Sequence, residues 1–511
     1  MSTLDPRRTP CIIGVARKTW HPSDLKGNDG TIGAAPEPLD MWEEVARSAS
    51  KDAGAPDALK NLESIDIVYC QSWQYDDAPV RLSERLGASP SRKRYSGLGG
   101  SVPQTLAADA ASLILSGDLD LGLIVGAEAL ATLRRLKKAG EKPSWSYKPD
   151  VRRPFPLDIS FLPSEITHGV FEAYLTFAMF DNARRARLGT ELDEHREALG
   201  ALLSAMTSVA AKSEHAWFPT FRPSKDIWQA REDNRMVAYP YTKLMTSIMD
   251  VDMAAALLIA STEKADELGV PADKRVYLRG HGYAQDPDHV AQHRDLSRSR
   301  AMKIASEQAL GYASIEIDQV KYLDLYSCFA SSICFGLDAL GIEVSDASGP
   351  TPKQPITLTG GLPYHGGPGS NYMTHSLAAM AETLRIDPGS FGLVSGVGMF
   401  MTKHAYGLWS TTPGQFEHDK VFDTVPPKPE CLSVQDLADG EGTVATYSVI
   451  HGHDGSPESA LLVCDLNSGE RCYAKLSDGD ALVASESDEL IGQKVVLRSQ
   501  DGINHASLTS Y

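Results

Sequence analysis

The order of apolar runs and glycine-rich turns occurs twice along the chain. In the first half, CIIGVARKTW predicts a strand, a helix follows over about residues 39–53, and IDIVYCQSW, GLGGS, a second helix and LGLIVGAEA come next. In the second half, the same order is given by RVYLRGHGYA, a helix over about residues 297–310, VKYLDLYSCF, LTGGLPYHGGPGSNY, THSLAAMAETL and FGLVSGVGMF. Strands that alternate with helices predict right-handed crossovers, and two copies predict two α/β layers packed together. An unrelated string of alternating units is the alternative.

Three regions surround this duplication. The first half spans 1–265 and contains an insertion at about 137–249, rich in charged and aromatic residues, which predicts a lid over a site. The second half spans 266–424, and VPPKPE then predicts a stiff linker. Residues 431–511 consist of short apolar runs separated by Asp-Gly and Asn-Ser-Gly turns, which predicts a small closed all-β barrel. Its thirteen acidic and four basic residues favour a packing or partner-docking module over an oligonucleotide-binding one.

Composition excludes several classes of function. The net charge of −18 argues against nucleic-acid binding, which depends on Lys and Arg neutralising phosphates. No window approaches the roughly 18 apolar residues of a membrane span, and the N-terminus has no secretory pattern, so a cytoplasmic location is expected. Seven cysteines without a CxxC pair favour reduced thiols and argue against a structural zinc site. We expect no metal.

A glycine-rich turn, with Gly97, Gly99 and Gly100, opens the second helix of the first half. The unpaired N–H groups at a helix start lower the pKa of a thiol, so such a turn suits a nucleophilic cysteine. The turn contains no cysteine. Covalent chemistry by another residue, different chemistry, and binding alone therefore remain open.

The duplicated pattern resembles the thiolase superfamily over about residues 8–425. The resemblance is carried by GGSVPQTLAADAASLILSGDLDLGLIVGAEA, YPYTKLM, DVDMAAALLIAS, YLDLYSCFASS, GGLPYHGGPGSNY and SGVGMFMTKHAYGLWST. Together with the barrel, these motifs are similar to thiolase-like proteins of type 1 from actinobacteria, often labelled acetyl-CoA acetyltransferases. The resemblance implies a duplicated thiolase fold layered α-β-α-β-α, an acyltransferase of lipid metabolism, and coenzyme A or acyl-CoA as substrate or ligand with no covalently bound cofactor. It also implies a homodimer, with a monomer as the alternative if the barrel covers the usual dimer surface.

The residues that thiolases use for acyl transfer are absent from the matching positions. Thiolases pass the acyl group through a cysteine at the helix start, and that position falls on Gly100. The histidine of the family's Gly-His-Pro motif is replaced by Gly367, with His365 two residues earlier. The third motif reads Val394-Ser395-Gly396 and lacks the second cysteine. The resemblance still implies an oxyanion hole, because the backbone N–H groups of Gly100 and Gly396 persist.

The second strand of the second half ends on Tyr326-Ser327-Cys328-Phe329, where sterol-carrier-protein-linked thiolases have His-Asp-Cys-Phe. Steroid side-chain aldolases of the same fold are similar in having a tyrosine there, assigned to proton abstraction in a retro-aldol cleavage. Tyr326 is therefore the leading catalytic candidate, with a buried hydrogen-bonded tyrosine as the alternative. Because a phenol has a pKa near 10, its activity at neutral pH requires that this pKa be lowered or that the group be paired, so we expect Tyr326 to share its role with His365 opposite Gly100.

Five further residues complete the candidate site. Cys328 is interpreted as a thiolate base or a small buried hydrophobe, and His404 as a group that reaches the same cleft or a surface contact. Ser101 is a ligand contact or a helix cap. Tyr241 and Lys243, in the YPYTK loop, are candidates for contacts to the nucleotide part of CoA.

Three hypotheses follow from these residues. In the first, the chain acts on acyl-CoA thioesters, transferring acyl groups or making or breaking a carbon–carbon bond without the usual cysteine. In the second, it is a retro-aldolase on β-hydroxyacyl-CoA that uses Tyr326. In the third, it binds acyl-CoA without catalysis.

Overall fold

The computed structural model of the protein describes residues 4–27, 31–154, 161–342, 355–414 and 428–509. The strands are β1 (Pro10–Thr19), β2 (Ser64–Ile67), β3 (Arg92–Tyr95), β4 (Leu121–Ala129), β5 (Met236–Ala238), β6 (Tyr241–Thr242), β7 (Asp252–Ser261), β8 (Val276–Gln285), β9 (Val320–Asp324), β10 (Phe391–Gly398), β11 (Lys403–Ser410), β12 (Gly440–His451), β13 (Pro457–Leu466), β14 (Arg471–Leu476), β15 (Lys494–Gln500) and β16 (Ile503–Leu508). The α-helices are α1 (Pro38–Asp52), α2 (Ala78–Leu86), α3 (Val102–Ser116), α4 (Leu130–Lys138), α5 (Pro163–His168), α6 (Ala173–Leu188), α7 (Leu192–Ala210), α8 (Ser224–Trp228), α9 (Thr262–Glu267), α10 (Arg300–Ala313), α11 (Ala330–Leu340), α12 (Tyr372–Ile386) and α13 (Gly479–Ala484).

The two halves of the chain build the same sheet. Nine strands are hydrogen-bonded in the order β3-β2-β4-β7-β1-β8-β11-β10-β9. In the first half, β2-β4-β7-β1 combines one parallel and two antiparallel pairings. In the second half, β9-β10-β11-β8 repeats that combination. The predicted duplication is confirmed, and the two half-sheets meet where Cys11 and Ile12 of β1 pair with Tyr277 and Val276 of β8.

Two helices lie between the half-sheets. α3 contacts β1, β4 and β7 of the first half together with β8, β10 and β11 of the second, and α12 contacts strands of both halves in the same way. α1 packs against β1 and β7, while α10 packs against β8 and β11. These contacts give the predicted α-β-α-β-α layering. They bring the start of α3, which follows the glycine-rich turn, to the centre of the molecule.

Local sequence accounts for the placement of α3. Pro103 lies in its first turn, where the missing N–H of proline costs no hydrogen bond. The helix ends at Gly117, whose φ of 81° is left-handed and whose N–H bonds back to the carbonyls of Leu113 and Ile114. The buried strand β4 follows at once, as the sequence predicts.

The C-terminal strands form a closed barrel that is continuous with the insertion at about 137–249. The order β13-β14-β16-β15-β12 closes through a β13–β12 pairing, and β12 also pairs with β5 at Ile450 and Ala238. The Asn182 side chain of α6 donates to the carbonyl oxygen of Tyr447 (2.9 Å), and the ring of Tyr447 stacks on Tyr239 at 6.4 Å. The barrel therefore packs against this insertion through a buried, hydrogen-bonded interface, and the role of the insertion as a lid stays a prediction.

Two further expectations concern the chain as a whole. The first half of the predicted linker VPPKPE lies outside the described residues, which resume at 428. None of the helices that the structure describes is long and apolar enough to cross a membrane.

Candidate functional site

The turn before α3 is in direct contact with the end of β9. A Cβ atom built on Gly100 would lie 2.1 Å from Tyr326 Oη and 2.4 Å from the carbonyl oxygen of Val397, closer than real contacts allow. The phenol of Tyr326 therefore fills the space that a side chain at position 100 would need. Gly100 permits this approach because it has no side chain.

The loop after β9 holds Tyr326 in place. Its N–H donates to Ser395 Oγ (3.0 Å), and its carbonyl oxygen accepts from Ser332 Oγ (2.8 Å). Its ring meets that of Tyr372 edge-on, with centroids 5.6 Å apart and planes at 87°. Among the described residues, no hydrogen-bond partner contacts the Tyr326 hydroxyl.

The environment of Tyr326 keeps its phenol neutral. Burial raises the pKa of Tyr326 far above its ordinary value, and the nearby Cys328 adds to that rise. The pKa of Tyr326 is therefore not lowered, so activity of this phenol at neutral pH would require pairing with another group. A neutral phenol donates a hydrogen bond, so Tyr326 suits an oxygen that gains negative charge.

Tyr372 belongs to a separate hydrogen-bonded group behind Tyr326. Its hydroxyl donates to Asp324 Oδ1 (3.0 Å) and lies 2.7 Å from Thr359 Oγ1. The other carboxylate oxygen of Asp324 accepts from the N–H of Leu358 (2.8 Å). Burial raises the pKa of Asp324, while these hydrogen bonds act in the opposite direction. Asp324 thus fixes both Tyr372 and the loop that leads to the glycine-rich turn of the second half.

His365 and His375 form a buried pair beside Tyr372. His365 Nε2 lies 3.4 Å from His375 Nδ1, and the His365 and Tyr372 rings are 6.0 Å apart. His365 Nδ1 and His375 Nε2 have no partner among the described residues. Burial lowers the pKa of both histidines, and the charge of Arg17 lowers them further. Both imidazoles are therefore neutral at neutral pH, and each has a nitrogen free for a ligand or water.

The predicted oxyanion residues lie next to one another. A Cβ atom on Gly396 would meet the Cα of Ser101 at 2.8 Å and the carbonyl oxygen of Gly100 at 3.2 Å. Ser101 immediately precedes α3 without making a side-chain cap, so the capping interpretation is wrong. The backbone N–H of Gly100 donates to no group among the described residues. This N–H remains available at the start of α3, where the helix dipole favours negative charge.

Cys328 and His404 lie less favourably for chemistry. Burial raises the pKa of Cys328 to about 12, which keeps it a thiol at neutral pH and contradicts the thiolate-base interpretation. His404 pairs with Val397, the neighbour of Gly396 along β10, so its side chain projects from the opposite face of the sheet. There His404 Nε2 lies 3.1 Å from the carbonyl oxygen of Met401 and 3.3 Å from Asp286. The structure therefore does not bring His404 to Gly100.

The two residues of the YPYTK loop have different surroundings. Tyr241 is completely buried, stacks on Phe329 at 5.7 Å, and receives the N–H of Ser331 at 3.3 Å. Its predicted contact with a nucleotide is wrong, because the ring is part of the buried core that includes Phe329. Lys243 is exposed and accessible to a ligand.

Sequence reasoning missed a buried carboxyl group at the end of β4. Glu128 accepts hydrogen bonds from the N–H groups of Gln71 (2.8 Å) and Ser72 (2.9 Å), and burial raises its pKa to about 7. Its Oε1 lies 2.5 Å from the position of a Cβ on Gly369, next to Ser370, whose Oγ accepts from the N–H of Gly99 (3.0 Å). The signal was present in LGLIVGAEA, because a carboxylate inside an apolar strand is unusual.

Asn371 is a second missed residue. Neither polar atom of its buried amide has a partner among the described residues. A Cβ on Gly126 would lie 2.1 Å from its Oδ1, so the amide is inserted against β4. No group of three or more metal-ligating side chains occurs in the described part of the chain.

Known proteins share this architecture. The chain resembles the crystal structure of a monomeric SCP2-thiolase like protein type 1 from Mycobacterium smegmatis, with a TM-score of 0.81 and 30% identity over 99% of this chain and 100% of that one. The Ltp2-ChsH2(DUF35) aldolase has a TM-score of 0.57 at 16% identity, covering 80% of this chain and 98% of that one. The dimeric peroxisomal thiolase of Saccharomyces cerevisiae has a TM-score of 0.56 at 13% identity, covering 80% of this chain and 98% of that one.

The chain is also similar in sequence to a curated protein. An acetyl-CoA acetyltransferase of Methanocaldococcus jannaschii is 30% identical over 132 residues, which are 26% of this chain and 32% of the relative. The match thus spans about a third of that protein's length. No protein-family model matches the chain.

Proposed function

The chain belongs to the thiolase superfamily, and from that premise we propose that it binds acyl-CoA thioesters and acts on them without an acyl-enzyme intermediate. The reaction that its site fits best is the making or breaking of a carbon–carbon bond next to an oxygen that gains negative charge. A retro-aldol cleavage of a β-hydroxyacyl-CoA is one such reaction. We also propose a cytoplasmic protein with CoA as the carrier of its acyl group.

One observation carries this proposal. The hydroxyl of Tyr326 lies 2.1 Å from the position of a Cβ on Gly100, where thiolases place their nucleophile. Loss of the cysteine alone would leave a gap at this point, whereas here a phenol occupies it. A proton-donating group thus stands where a thiolase forms its covalent bond.

The protonation states assign different roles to the two leading residues. Tyr326 is neutral and donates, while His365 is neutral and has one unpartnered ring nitrogen that can accept a proton. In a retro-aldol cleavage, a base removes the proton of the β-hydroxyl as the Cα–Cβ bond breaks, and the electron pair passes to the thioester carbonyl as an enolate. The β-carbon leaves as an aldehyde or ketone. Hydrogen bonds from Tyr326 and the Gly100 N–H stabilise the enolate oxygen, and the proton taken up by the base passes to Cα, which releases the shortened acyl-CoA.

Intact-mass spectrometry tests the absence of a covalent step. The protein is incubated with acetyl-CoA or acetoacetyl-CoA and its mass is compared with that of the untreated protein. We expect no acetyl adduct, because no nucleophile of lowered pKa lies beside Gly100. A stable adduct on any residue would overturn the proposal.

Binding without catalysis is the second candidate function. It is favoured by the raised pKa of Tyr326 and by the complete burial of His365, since neither group is poised to transfer a proton at neutral pH in the free protein. The two functions separate when product formation from a panel of acyl-CoAs and hydroxyacyl-CoAs is measured beside thermal stabilisation. Stabilisation without product would establish the binding protein.

The homodimer stays a prediction. In the described structure, β3 ends the nine-stranded sheet, and its exposed residues Arg92 and Lys93 would place like charges together in an antiparallel pair with a second copy. Sedimentation velocity would show which state occurs. We favour the monomer on this argument.

A further inference from the structure

A pocket of about 450 Å³ opens on the first half of the chain, beside the carboxyl end of β2. Its walls come from residues 71–74 and from the loop that follows α4, and they include Trp73, Gln74, Lys148 and Arg152. None of these residues belongs to the site at Gly100.

The pocket lies in the most basic stretch of an acidic protein. Residues 134–153 contain eight Lys or Arg and two acidic residues, although the chain as a whole carries a net charge of −18. Lys148 and Arg152 are exposed, and neither has an ion-pair partner among the described residues. Asp150 is the one acidic residue on the pocket wall. Unpaired cations around a concave surface attract anions, phosphates above all.

The remaining walls present an aromatic ring and amide groups. Trp73 is half-buried, and its Nε1 donates to the carbonyl oxygen of Ser146 (2.9 Å). The amide of Gln74 donates to the carbonyl oxygen of Arg153 (3.0 Å) and accepts from its N–H (3.0 Å). These bonds hold the loop after α4 against residues 71–74, so the pocket is formed before any ligand arrives.

Buried contacts connect the pocket to the glycine-rich turn that contains Gly100. Gln71 and Ser72, which line it, donate their N–H groups to Glu128. Glu128 lies against Gly369, and the neighbouring Ser370 accepts from the N–H of Gly99. One carboxyl group and one serine therefore separate the pocket wall from the turn that contains Gly100.

We propose that this pocket binds a phosphorylated nucleoside. The cations Lys148 and Arg152 contact the phosphate, and the Trp73 indole provides the apolar surface for the base. The ligand has two sources: the nucleotide end of an acyl-CoA whose thioester reaches Gly100, which rests on the proposed function, or a free nucleotide that binds independently.

Titration calorimetry with adenosine 3′,5′-bisphosphate tests the pocket. We expect saturable binding that the double variant Lys148→Glu/Arg152→Glu weakens at least about tenfold and that added salt weakens as well. Trp73→Leu should weaken it about fivefold without changing its salt dependence. Lys303→Glu is the matched control, because Lys303 lines a second basic pocket at the start of α10. No binding, or a loss caused by Lys303→Glu and not by the double variant, would overturn the proposal.

Two further ligands distinguish the sources and protect the test from the fate of the proposed function. If the nucleotide end of acyl-CoA occupies the pocket, adenosine 3′,5′-bisphosphate competes with acyl-CoA, and the double variant weakens acyl-CoA but not an acyl-pantetheine, which lacks the nucleotide. If a free nucleotide is the ligand, both bind at once. Failure of acyl-CoA and acyl-pantetheine to bind would overturn the proposed function, while the bisphosphate titration still decides the pocket.

Discussion

The glycine-rich turns of the two halves have equivalent positions in the fold but differ in the polar groups that they present. The first, at Gly99, Gly100 and Ser101, offers mainly backbone groups to the centre of the molecule. The second runs through His365 to Ser370 and is surrounded by buried polar side chains, several without partners among the described residues. Thiolases keep their nucleophile on the first turn. In this chain the side chains proposed to react, Tyr326 and His365, lie in the second half, and the Tyr326 hydroxyl occupies the space that a side chain on Gly100 would need.

The comparison predicts that removal of a side chain lowers turnover in the second half and not in the first turn. We expect Tyr326→Phe to keep its fold and ligand binding while turnover of a hydroxyacyl-CoA falls by about two to three orders of magnitude, the usual cost of removing one hydrogen-bond donor to an oxyanion. Turnover by His365→Ala should fall by about two to four orders of magnitude, the usual contribution of general acid–base catalysis. The two effects should not add, because the proposed mechanism places both groups at one reacting centre.

Ser101→Ala is the matched control for that measurement. It removes a side chain of the first turn and should change kcat less than about threefold, since only backbone N–H groups are used there. Equal turnover by the parent, Tyr326→Phe and His365→Ala would refute the shift of chemistry to the second half.

Addition of a side chain to the first turn is expected to lower the stability of the protein. Gly100→Ala places a Cβ against Tyr326 Oη and the Val397 carbonyl, at 2.1 and 2.4 Å, so we expect a loss of about 3 kcal/mol in the free energy of unfolding, measured in urea. Tyr326→Ala should rescue only part of this loss, because the clash with the Val397 backbone remains. Gly97→Ala is the control, since a Cβ there meets no atom within 4 Å. Equal stability of the two alanine variants would contradict the close packing at Gly100.

Glu128, which lies against the second turn at Gly369, should make stability depend on pH. Its pKa is raised from 4.5 to about 7, so the folded protein holds a proton that the unfolded chain has lost. The stabilisation is complete below about pH 4.5 and is lost as the pH rises through 7, by at most about 1.4 kcal/mol per pH unit. Glu128→Gln should flatten this slope in urea unfolding, whereas Glu214→Gln, an exposed control, should not. A slope unchanged by Glu128→Gln would show that the group does not titrate in this range.

The smallest effect is expected at Cys328. Its pKa of about 12 leaves a thiol, so Cys328→Ala should change turnover less than about threefold, and iodoacetamide should label the exposed Cys431 first. A tenfold loss of turnover would restore Cys328 as a candidate base.

The sequence predicted the fold more completely than the site. Alternation of apolar runs and turns is a local property, so β1, α3, β4 and the duplication of the first half in the second could be predicted. Tyr326 and Gly100 are 226 positions apart in the chain. The sequence predicted both as site residues, but it did not predict that the Tyr326 hydroxyl fills the space beside Gly100.

The errors have a common physical cause. Tyr241 was expected to contact a ligand, but its ring stacks on Phe329 and is completely buried. His404 was expected in the cleft, but the alternation of side chains along β11 turns it to the other face. The sequence did not predict a role for His375, because a single histidine in an apolar helix has no distinguishing pattern. Each of these positions is decided by tertiary pairing, which no local pattern contains.

The central claim is that the Tyr326 phenol has taken the place of the nucleophile, and a crystal structure with a non-cleavable acyl-CoA thioether tests it most directly. We expect the acyl oxygen within hydrogen-bond distance of Tyr326 Oη and of the Gly100 N–H, about 2.5 to 3.2 Å, with no covalent bond to the protein. An acyl group bound more than about 8 Å from Tyr326, or bonded to a side chain, would contradict the claim.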